Sequence, residues 1–282
     1  MRFVIDAATL ASINFLLGLA IVTIYKGTRI INFALPGVML FTAYLTVTVT
    51  ALMPLPLALL LGLGVAALLG AATFYLGIYP ILGRPTYVGI LTTVAIGFML
   101  ESIVTIVWKA GIVNLDLPSA TFSVAGQSIR SAEAAIWATA VIVGAAFGIL
   151  YRYTRLGLWL AATADNSLLA RHRGIPVLVV LLLSSMVAAA LAYAVGLLLG
   201  ARLGVTMALG STALRGLVVA LVGGLDSVPG AALAAIILAV IESAVVIHDP
   251  RLATVVPYVV LLFILVWRPW GLLGTYEEVE RI

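Results

Sequence analysis

The chain has 282 residues, of which 64% are hydrophobic and only 9% are charged, and its formal net charge is +4. A water-soluble protein of this length needs far more surface charge, so the composition excludes a soluble globular protein and indicates an all-α, polytopic transmembrane helical bundle. The chain lacks cysteine, which excludes disulfides and cysteine metal sites, and it has no basic run that would indicate nucleic-acid binding.

Apolar segments along the chain predict about 8–9 membrane spans within a single domain that covers residues 1–282. The N-terminus lacks the charged region and cleavage site of a removable signal, so we expect the first segment to remain as a helix. Segments 36–50, 205–222 and 254–267 are shorter than the roughly 20 residues of a perpendicular crossing, and we expect them to be tilted, broken or re-entrant. The segments are 4–24, 36–50, 55–76, 88–108, 132–150, 175–200, 205–222, 229–247 and 254–267.

The distribution of basic residues predicts which ends of the spans are cytoplasmic. If all these segments cross the membrane with the N-terminus outside, more basic residues lie on the cytoplasmic side than outside, in agreement with the positive-inside rule. Arg215 then falls within a span. The cytoplasmic set is Lys26, Arg29, Arg84, Arg152, Arg155, Arg171, Arg173, Arg268 and Arg281, and the external set is Arg2, Lys109, Arg130, Arg202 and Arg251.

Two short segments resemble each other, one near each end of the chain. Asn32–Val38 reads NFALPGV and Leu225–Ala231 reads LDSVPGA, so each places a Pro-Gly pair directly before an apolar helix. In transporters, Gly- or Pro-interrupted helices in corresponding halves mark the substrate path. The alternative is that both pairs are ordinary loop-to-helix starts, where proline loses no hydrogen bond and glycine allows close packing. The translocation-path candidates from these regions are Asn32, Phe33, Pro36, Gly37, Gly223, Gly224, Ser227, Pro229 and Gly230.

Glu101 lies within the predicted span 88–108, and Glu242 lies near the end of the predicted span 229–247. An ionised carboxylate at the bilayer centre costs at least about 2.5 kcal/mol, so such residues face the protein interior or a water-filled path. Glu101 is therefore a further translocation-path candidate, while for Glu242 we favour a structural salt bridge or hydrogen bond. Either residue is in a position to pair with Arg215.

The longest predicted external loop is Gly111–Arg130. Its content of Asp, Pro, Ser and Thr is typical of an extended surface segment and is compatible with a hairpin. The charged tail Thr275–Ile282 is predicted to be a solvated end.

A polar, arginine-rich segment at 151–176 interrupts the apolar pattern. It reads YRYTRLGLWLAATADNSLLARHRGIP and predicts a short helix over Ala161–Ala170, then a basic turn that ends at Gly174. If a soluble motor protein drives a transport channel, a cytoplasmic helix parallel to the membrane provides the surface on which the motor acts. We expect this segment to dock on a partner protein, with charge setting the register of the contact. The alternative is that Asp165, Asn166, Arg171, His172 and Arg173 only anchor the topology.

The segment Lys26–Leu45, KGTRIINFALPGVMLFTAYL, resembles the region that follows the first helix in ABC importer permeases of the branched-chain amino acid type. The polar segment resembles the coupling segment of the same family. It matches at Arg155, Gly157, Ala161, Ala162, Asn166, Ala170, Gly174 and Ile175. The N-terminal region matches at Asn32, Phe33, Ala34, Ala43 and Tyr44, and it departs at Leu35 and Pro36, where the family usually has His and Gly.

Two C-terminal regions carry the resemblance further. Ala220–Ser243 is similar to the family's Gly-Gly-x-x-Ser-x-Pro-Gly-Ala helix that ends in Glu, and Trp267–Gly274 is similar to its Arg-Pro-x-Gly-Leu-x-Gly ending. The four matches occur in the family's order and span nearly the whole chain. Each motif alone is weak, but the ordered set is specific.

The resemblance implies a multi-pass permease subunit of a bacterial importer in the plasma (inner) membrane. Its implied partners are a second permease subunit, two cytoplasmic ATP-binding subunits and an extracytoplasmic solute-binding protein, and its implied cargo is a small amino-acid-like or amide solute. The chain has no G-x-x-x-x-G-K-[ST] loop, so the energy is expected to come from a partner and the chain is expected not to be an enzyme. His172 and His248 have no partners at metal-ligand spacing, and we predict no metal or cofactor. The ATPase-coupling candidates are Arg155, Gly157, Ala161, Ala162, Asp165, Asn166, Ala170, Arg171, Arg173 and Gly174.

The alternative function is an autonomous proton-coupled secondary transporter or channel. In that case Glu101 or Glu242 would titrate during transport, and the arginine-rich segment would serve only as a topological anchor.

Overall fold

The computed structural model describes residues 2–115, 121–124, 127–249 and 251–275, and within these ranges the chain is almost entirely helical. Each apolar segment predicted from the sequence forms a helix. Two short helices, α6 and α7, lie between the fifth and the sixth of these apolar helices. The elements are α1 (Arg2–Thr28), α2 (Leu35–Thr50), α3 (Leu55–Ala72), α4 (Thr86–Trp108), β1 (Thr121–Val124), β2 (Gln127–Arg130), α5 (Ser131–Tyr153), α6 (Arg155–Asp165), α7 (Ser167–His172), α8 (Val177–Leu203), α9 (Ala208–Gly223), α10 (Val228–His248) and α11 (Val256–Trp267).

In the described part of the chain, six helices are long and apolar enough to cross a membrane. They are α1, α4, α5, α8, α10, and α3 together with the irregular turns that extend it to Ile81. The three shorter apolar helices are α2, α9 and α11 with its preceding turn, which are the three that the sequence predicted to be short. The fold is therefore a polytopic helical membrane bundle, as predicted.

Helix α1 lies at the centre of the bundle and packs against α8, α9, α10 and α5. Small residues allow the close approach: a Cβ atom on Gly18 would lie 2.6 Å from the Val219 side chain, and one on Gly216 would lie 2.8 Å from the backbone of Leu17. Because lipid tails are as apolar as the helices, tight packing at small residues is what stabilises such contacts.

The beginnings of α1 and α5 and the end of α8 meet at a cluster of charged residues. Glu133 is fully buried, and guanidinium groups of Arg2, Arg130 and Arg202 lie 3.7–3.8 Å from its carboxylate. Arg2 and Arg202 also pair with Asp6. We call this the Arg2 end of the bundle. The three arginines were all predicted to lie on the external side, and the structure brings them together.

The opposite end of the bundle holds basic residues predicted to be cytoplasmic. The Lys26 ammonium lies 4.6 Å from the centre of the Tyr151 ring, at the end of α5. Next to it, Arg29 donates a hydrogen bond of 3.0 Å to the carbonyl of Ala164 in α6. We call this the Lys26 end. Its placement in the cytoplasm stays a prediction.

Helices α2 and α4 both run towards the Arg2 end. Near that end, the Tyr44 hydroxyl donates to the carbonyl of Gly111, and the Trp108 indole donates to the Thr48 hydroxyl. The backbone of Val113 pairs with that of Val205, just before α9 begins. These contacts hold the end of α4 against α2, and the segment after α4 against the segment that precedes α9.

The predicted external loop contains a short hairpin. Strands β1 and β2 pair antiparallel, with Thr121 opposite Arg130. The hairpin with which the loop sequence is compatible is thus confirmed, although residues 116–120 and 125–126 lie outside the described ranges. Of the predicted solvated tail, only Thr275 is described.

Candidate functional site

The arginine-rich segment forms two short helices rather than the single helix predicted over Ala161–Ala170. Helix α6 ends at Asp165 and α7 begins at Ser167, so the prediction of one continuous helix is wrong. The physical reason is Asn166, whose extended backbone (φ −152°, ψ 104°) interrupts the helix. We call Arg155–His172 the α6–α7 segment.

Side-chain caps fix both helices of this segment. The Thr154 hydroxyl accepts a hydrogen bond of 3.1 Å from the N–H of Gly157, and the Asn166 side-chain oxygen accepts one of 3.0 Å from the N–H of Leu169. Threonine and asparagine are favoured at this position because they satisfy an N–H group that has no partner within the helix. The segment is therefore an ordered structure.

Two glycines at its boundaries are required by geometry. A Cβ atom on Gly157 would collide with the carbonyl oxygen of Leu150, because the chain turns sharply there between α5 and α6. Gly174 has a positive φ of 80°, which ends the helical geometry after α7. Between them, Ala170 is buried and anchors α7 against the bundle.

The outward face of the α6–α7 segment mixes leucine and charge. Leu168 and Leu169 are 69% and 62% exposed. The other predicted coupling residues lie in the same segment, with Ala161 exposed and Ala162 partly buried. Within the described ranges, no ion pair forms at the exposed charged members of the set, which are Arg155, Asp165, Arg171 and Arg173. The segment thus presents unpaired charge and apolar area together.

The α6–α7 segment is tied to the centre of the bundle through Arg29. This residue follows α1, has a left-handed backbone (φ 55°), and donates to the Ala164 carbonyl. A groove of about 760 Å³ lies beside this contact, lined by Arg29, Gly83, Asp165 and Arg171 among others. The hydrogen bond from Arg29 thus joins α6 to the end of α1.

The first Pro-Gly pair begins α2 in close contact with α4. The Asn32 side-chain oxygen accepts from the N–H of Ala34 at 2.8 Å, and the N–H of Phe33 donates to the Thr93 hydroxyl at 3.2 Å. A Cβ atom on Gly37 would lie 2.6 Å from the carbonyl oxygen of Gly97. The buried Asn32 thus shapes the turn, and Gly37 is needed for backbone-to-backbone packing.

Pro36 stands in the first turn of α2, where its missing N–H costs no hydrogen bond. Together with Asn32 and Phe33 it lines a cavity of about 10 Å³ that reaches Leu214 and Leu217 of α9. The first Pro-Gly region is therefore adjacent to α9, but its role in a translocation path stays a prediction.

The second Pro-Gly pair forms a compact turn between α9 and α10. The Ser227 hydroxyl accepts from the N–H of Gly230 at 3.0 Å, and Pro229 stands in the first turn of α10. Gly223 and Gly230 touch backbone to backbone, so that a Cβ atom on either would collide with the other.

The C-terminal segment covers this turn. Gly224 has a φ of 107° and packs on Gly274, and the N–H of Leu273 donates to the carbonyl of Gly223 at 3.0 Å. Asp226 accepts hydrogen bonds from the backbone and hydroxyl of Thr275. The start of α10 and tight backbone packing account for these residues. This favours the interpretation of the second Pro-Gly pair as an ordinary loop-to-helix start.

The carboxylates of Glu101 and Glu242 have different surroundings. Glu242 forms an ion pair of 2.6 Å with Arg215, which confirms the salt bridge favoured for it. Glu101 is partly exposed on α4, and within the described ranges its carboxylate has no hydrogen bond or ion pair. It lies beside Gly210 of α9, where a Cβ atom would lie 3.3 Å from the Glu101 Oε1 atom.

Several residues of this arrangement were not predicted. Thr93 and Gly97 of α4 contact the start of α2, but a threonine or a glycine in an apolar helix does not indicate such a contact in the sequence. The tie between Arg29 and Ala164 joins residues that are far apart in the sequence. Glu133 was detectable, because it is an acidic residue in the first turn of an apolar helix, three positions after Arg130.

A profile of the family described as "Branched-chain amino acid transport system / permease component" matches residues 3–265. Among curated proteins, the chain is similar to the high-affinity branched-chain amino acid transport system permease protein LivH of Salmonella typhimurium, with 33% identity, and to that of Escherichia coli K12, with 32% identity, each over 161 residues. The alignments cover 55% of this chain and 51% of each relative, so the chain spans about half the length of the curated relatives it matches. No solved structure gives a significant match.

Proposed function

The chain belongs to the family of branched-chain amino acid transport system permease components, and from this we propose that it is the permease subunit of an ATP-driven importer in a bacterial inner membrane. The proposed complex contains a second permease, two cytoplasmic ATP-binding subunits and an extracytoplasmic solute-binding protein. The proposed cargo is a small solute such as a branched-chain amino acid or a related amide, as the names of the relatives suggest. The whole of residues 1–282 acts as one permease domain in this proposal.

The observation that carries the proposal is the ordered α6–α7 segment at the Lys26 end. An interfacial anchor needs basic residues, but it does not need two capped helices with exposed leucines. Exposed apolar area beside unpaired charge is what a protein partner would cover, since the leucines supply buried area and the charges set the register. We assign the ATP-binding subunit as that partner, in contact with Arg155, Arg171 and Arg173.

In this proposal, movement of the ATP-binding subunits is transmitted through the α6–α7 segment to the helices of the bundle. Closure of the ATP-binding subunits would displace α6, and the hydrogen bond from Arg29 to Ala164 would carry the displacement to the end of α1. Because α1 packs against α8, α9 and α10, a change in its tilt would move the spans around it. The solute would pass between this subunit and the second permease by alternating access.

The test is copurification of the chain with the products of neighbouring genes, with ATP hydrolysis measured before and after Arg171→Glu and Arg173→Glu are combined. We expect an ATP-binding subunit to copurify and the double substitution to release it or to uncouple hydrolysis from transport. A matched control is the combination of Lys109→Glu and Arg251→Glu, two exposed residues predicted to be external, which should leave the ATP-binding subunit bound. If nothing copurifies and the purified chain alone moves solute down a proton gradient, the proposal is wrong.

A further inference from the structure

We propose that an outward face of the bundle, formed by Glu101 and Thr105 of α4 and Ser211 of α9, lines the solute path and that Glu101 there receives a protonated amine of the solute. We call these three residues the Glu101 face: Thr105 follows Glu101 by about one helical turn, and Ser211 is next in sequence to Gly210, where a Cβ atom would lie 3.3 Å from the Glu101 Oε1 atom. The inference rests on the proposed function and adds to it the chemical group by which the permease selects its cargo.

The first step is the depth of Glu101. At a rise of about 1.5 Å per residue, Glu101 lies about 10 Å along α4 from Trp108 and about 22 Å from Thr86. Since Trp108 is at the Arg2 end, Glu101 lies within the span but nearer to its predicted external end. A solute that enters from outside would meet it early.

The second step is the exposure of the face. Glu101 is partly exposed, and Thr105 and Ser211 are exposed. The exposed surface of α3 provides a comparison, because that helix contains only apolar residues and presents Leu57, Leu60, Leu61, Leu63 and Leu68 to its surroundings.

A surface such as that of α3 suits contact with lipid. A carboxylate with two hydroxyls does not, because charged groups in membrane spans face the protein interior or a water-filled path. The Glu101 face is therefore the one we assign to the path.

The third step is charge. The only basic residue within the predicted spans, Arg215, is neutralised by Glu242 at 2.6 Å. Within the described ranges the Glu101 carboxylate has no such partner, so the face carries one uncompensated negative charge. It would attract a cationic group and repel an anionic one.

The fourth step is the direction of the hydroxyl hydrogen bonds. The Thr105 hydroxyl donates to the carbonyl of Glu101 at 3.0 Å, and the Ser211 hydroxyl donates to the carbonyl of Ala208 at 2.8 Å. Both protons are used within their own helices, so both oxygens remain as acceptors. An ammonium group has three donors and no acceptor, which complements a face that offers only acceptors.

The absence of cysteine from the chain allows a direct test of accessibility and charge. Ser211→Cys in the assembled complex is treated from the external side with a cationic and with an anionic methanethiosulfonate reagent. We expect it to react, whereas the matched control Leu60→Cys on the apolar α3 face stays unreactive. No reaction at position 211 would overturn the assignment of the path.

The role of Glu101 is tested on the same background. Adding Glu101→Gln should lower the ratio of cationic to anionic reaction rates at position 211 on the order of tenfold, because removing one nearby charge changes the two rates in opposite directions. Glu101→Asp should preserve most of the ratio. An unchanged ratio with Gln would overturn the role of the charge even if the face is accessible.

Measurement of ATP-driven uptake tests whether Glu101 contributes to transport of the solute. On complexes that copurify with the ATP-binding subunit, Glu101→Gln should reduce ATP-driven uptake of radiolabelled L-leucine into vesicles at least about tenfold, and Glu101→Asp should retain part of it. Wild-type uptake in the Gln variant would contradict the inference alone. Failure of any ATP-binding subunit to copurify would instead contradict the proposed function.

Discussion

The ion pair between Arg215 and Glu242 gives the sharpest prediction about stability. Removing one partner of a buried pair costs about 3–5 kcal/mol, because the other charge is left uncompensated. The two partners differ, since the side chain of Glu242 is 6% exposed and that of Arg215 is 26% exposed. Arg215→Met leaves the buried carboxylate without its partner and should therefore cost about 3–5 kcal/mol. Glu242→Gln should cost less, about 2 kcal/mol, because the guanidinium that it leaves behind is more exposed.

The assay is thermal unfolding of the purified complex in detergent, followed by tryptophan fluorescence. For a chain of this size we expect Tm to fall by about 10 °C for Arg215→Met and about 5 °C for Glu242→Gln. The double variant Arg215→Met with Glu242→Met removes both charges and should recover most of the loss. The reasoning is refuted if the double variant is as unstable as the sum of the single variants, or if the single variants match the wild type.

Two further predictions concern the route of force and the start of α2. Arg29→Met should lower ATP-driven uptake several-fold while the ATP-binding subunit still copurifies, because the hydrogen bond to Ala164 is lost. Arg84→Met is the control. Equal uptake in both variants would contradict a role of this hydrogen bond in transport. Gly97→Leu should reduce the yield of folded chain, because a Cβ atom there would lie 2.7 Å from the carbonyl of Phe33, whereas Gly64→Leu meets nothing within 4 Å and should be tolerated. Equal yields of the two leucine variants, measured by size-exclusion chromatography, would contradict the packing argument.

The spans of this protein are predictable from the sequence because each depends on a local property. A helix in a membrane satisfies its own backbone hydrogen bonds, so an apolar run of sufficient length is enough to indicate it. The short helices α2, α9 and α11 also follow from the lengths of their runs. A structural salt bridge or hydrogen bond was favoured for Glu242 because a charge in a span needs a partner, but whether Arg215 pairs with Glu101 or with Glu242 was left open.

Other features depend on contacts that no local pattern contains. The break at Asn166 requires an extended backbone in a stretch that otherwise favours a helix, and the cap that stabilises it appears only in the structure. Similarly, the partner of Gly37 is Gly97, and the two are joined only by the packing of α2 on α4. The Pro-Gly motifs were visible in the sequence, but the contacts among Gly223, Gly230 and the C-terminal segment were not.

The proposed function requires an ATP-binding subunit to act on the α6–α7 segment. Photo-crosslinking tests this contact in cells that carry the whole complex, from an unnatural amino acid placed at the exposed Leu168, with Leu60 on α3 as the control position. We expect an adduct with the ATP-binding subunit from position 168 and none from position 60. An adduct from neither position, or from position 60 alone, would contradict it.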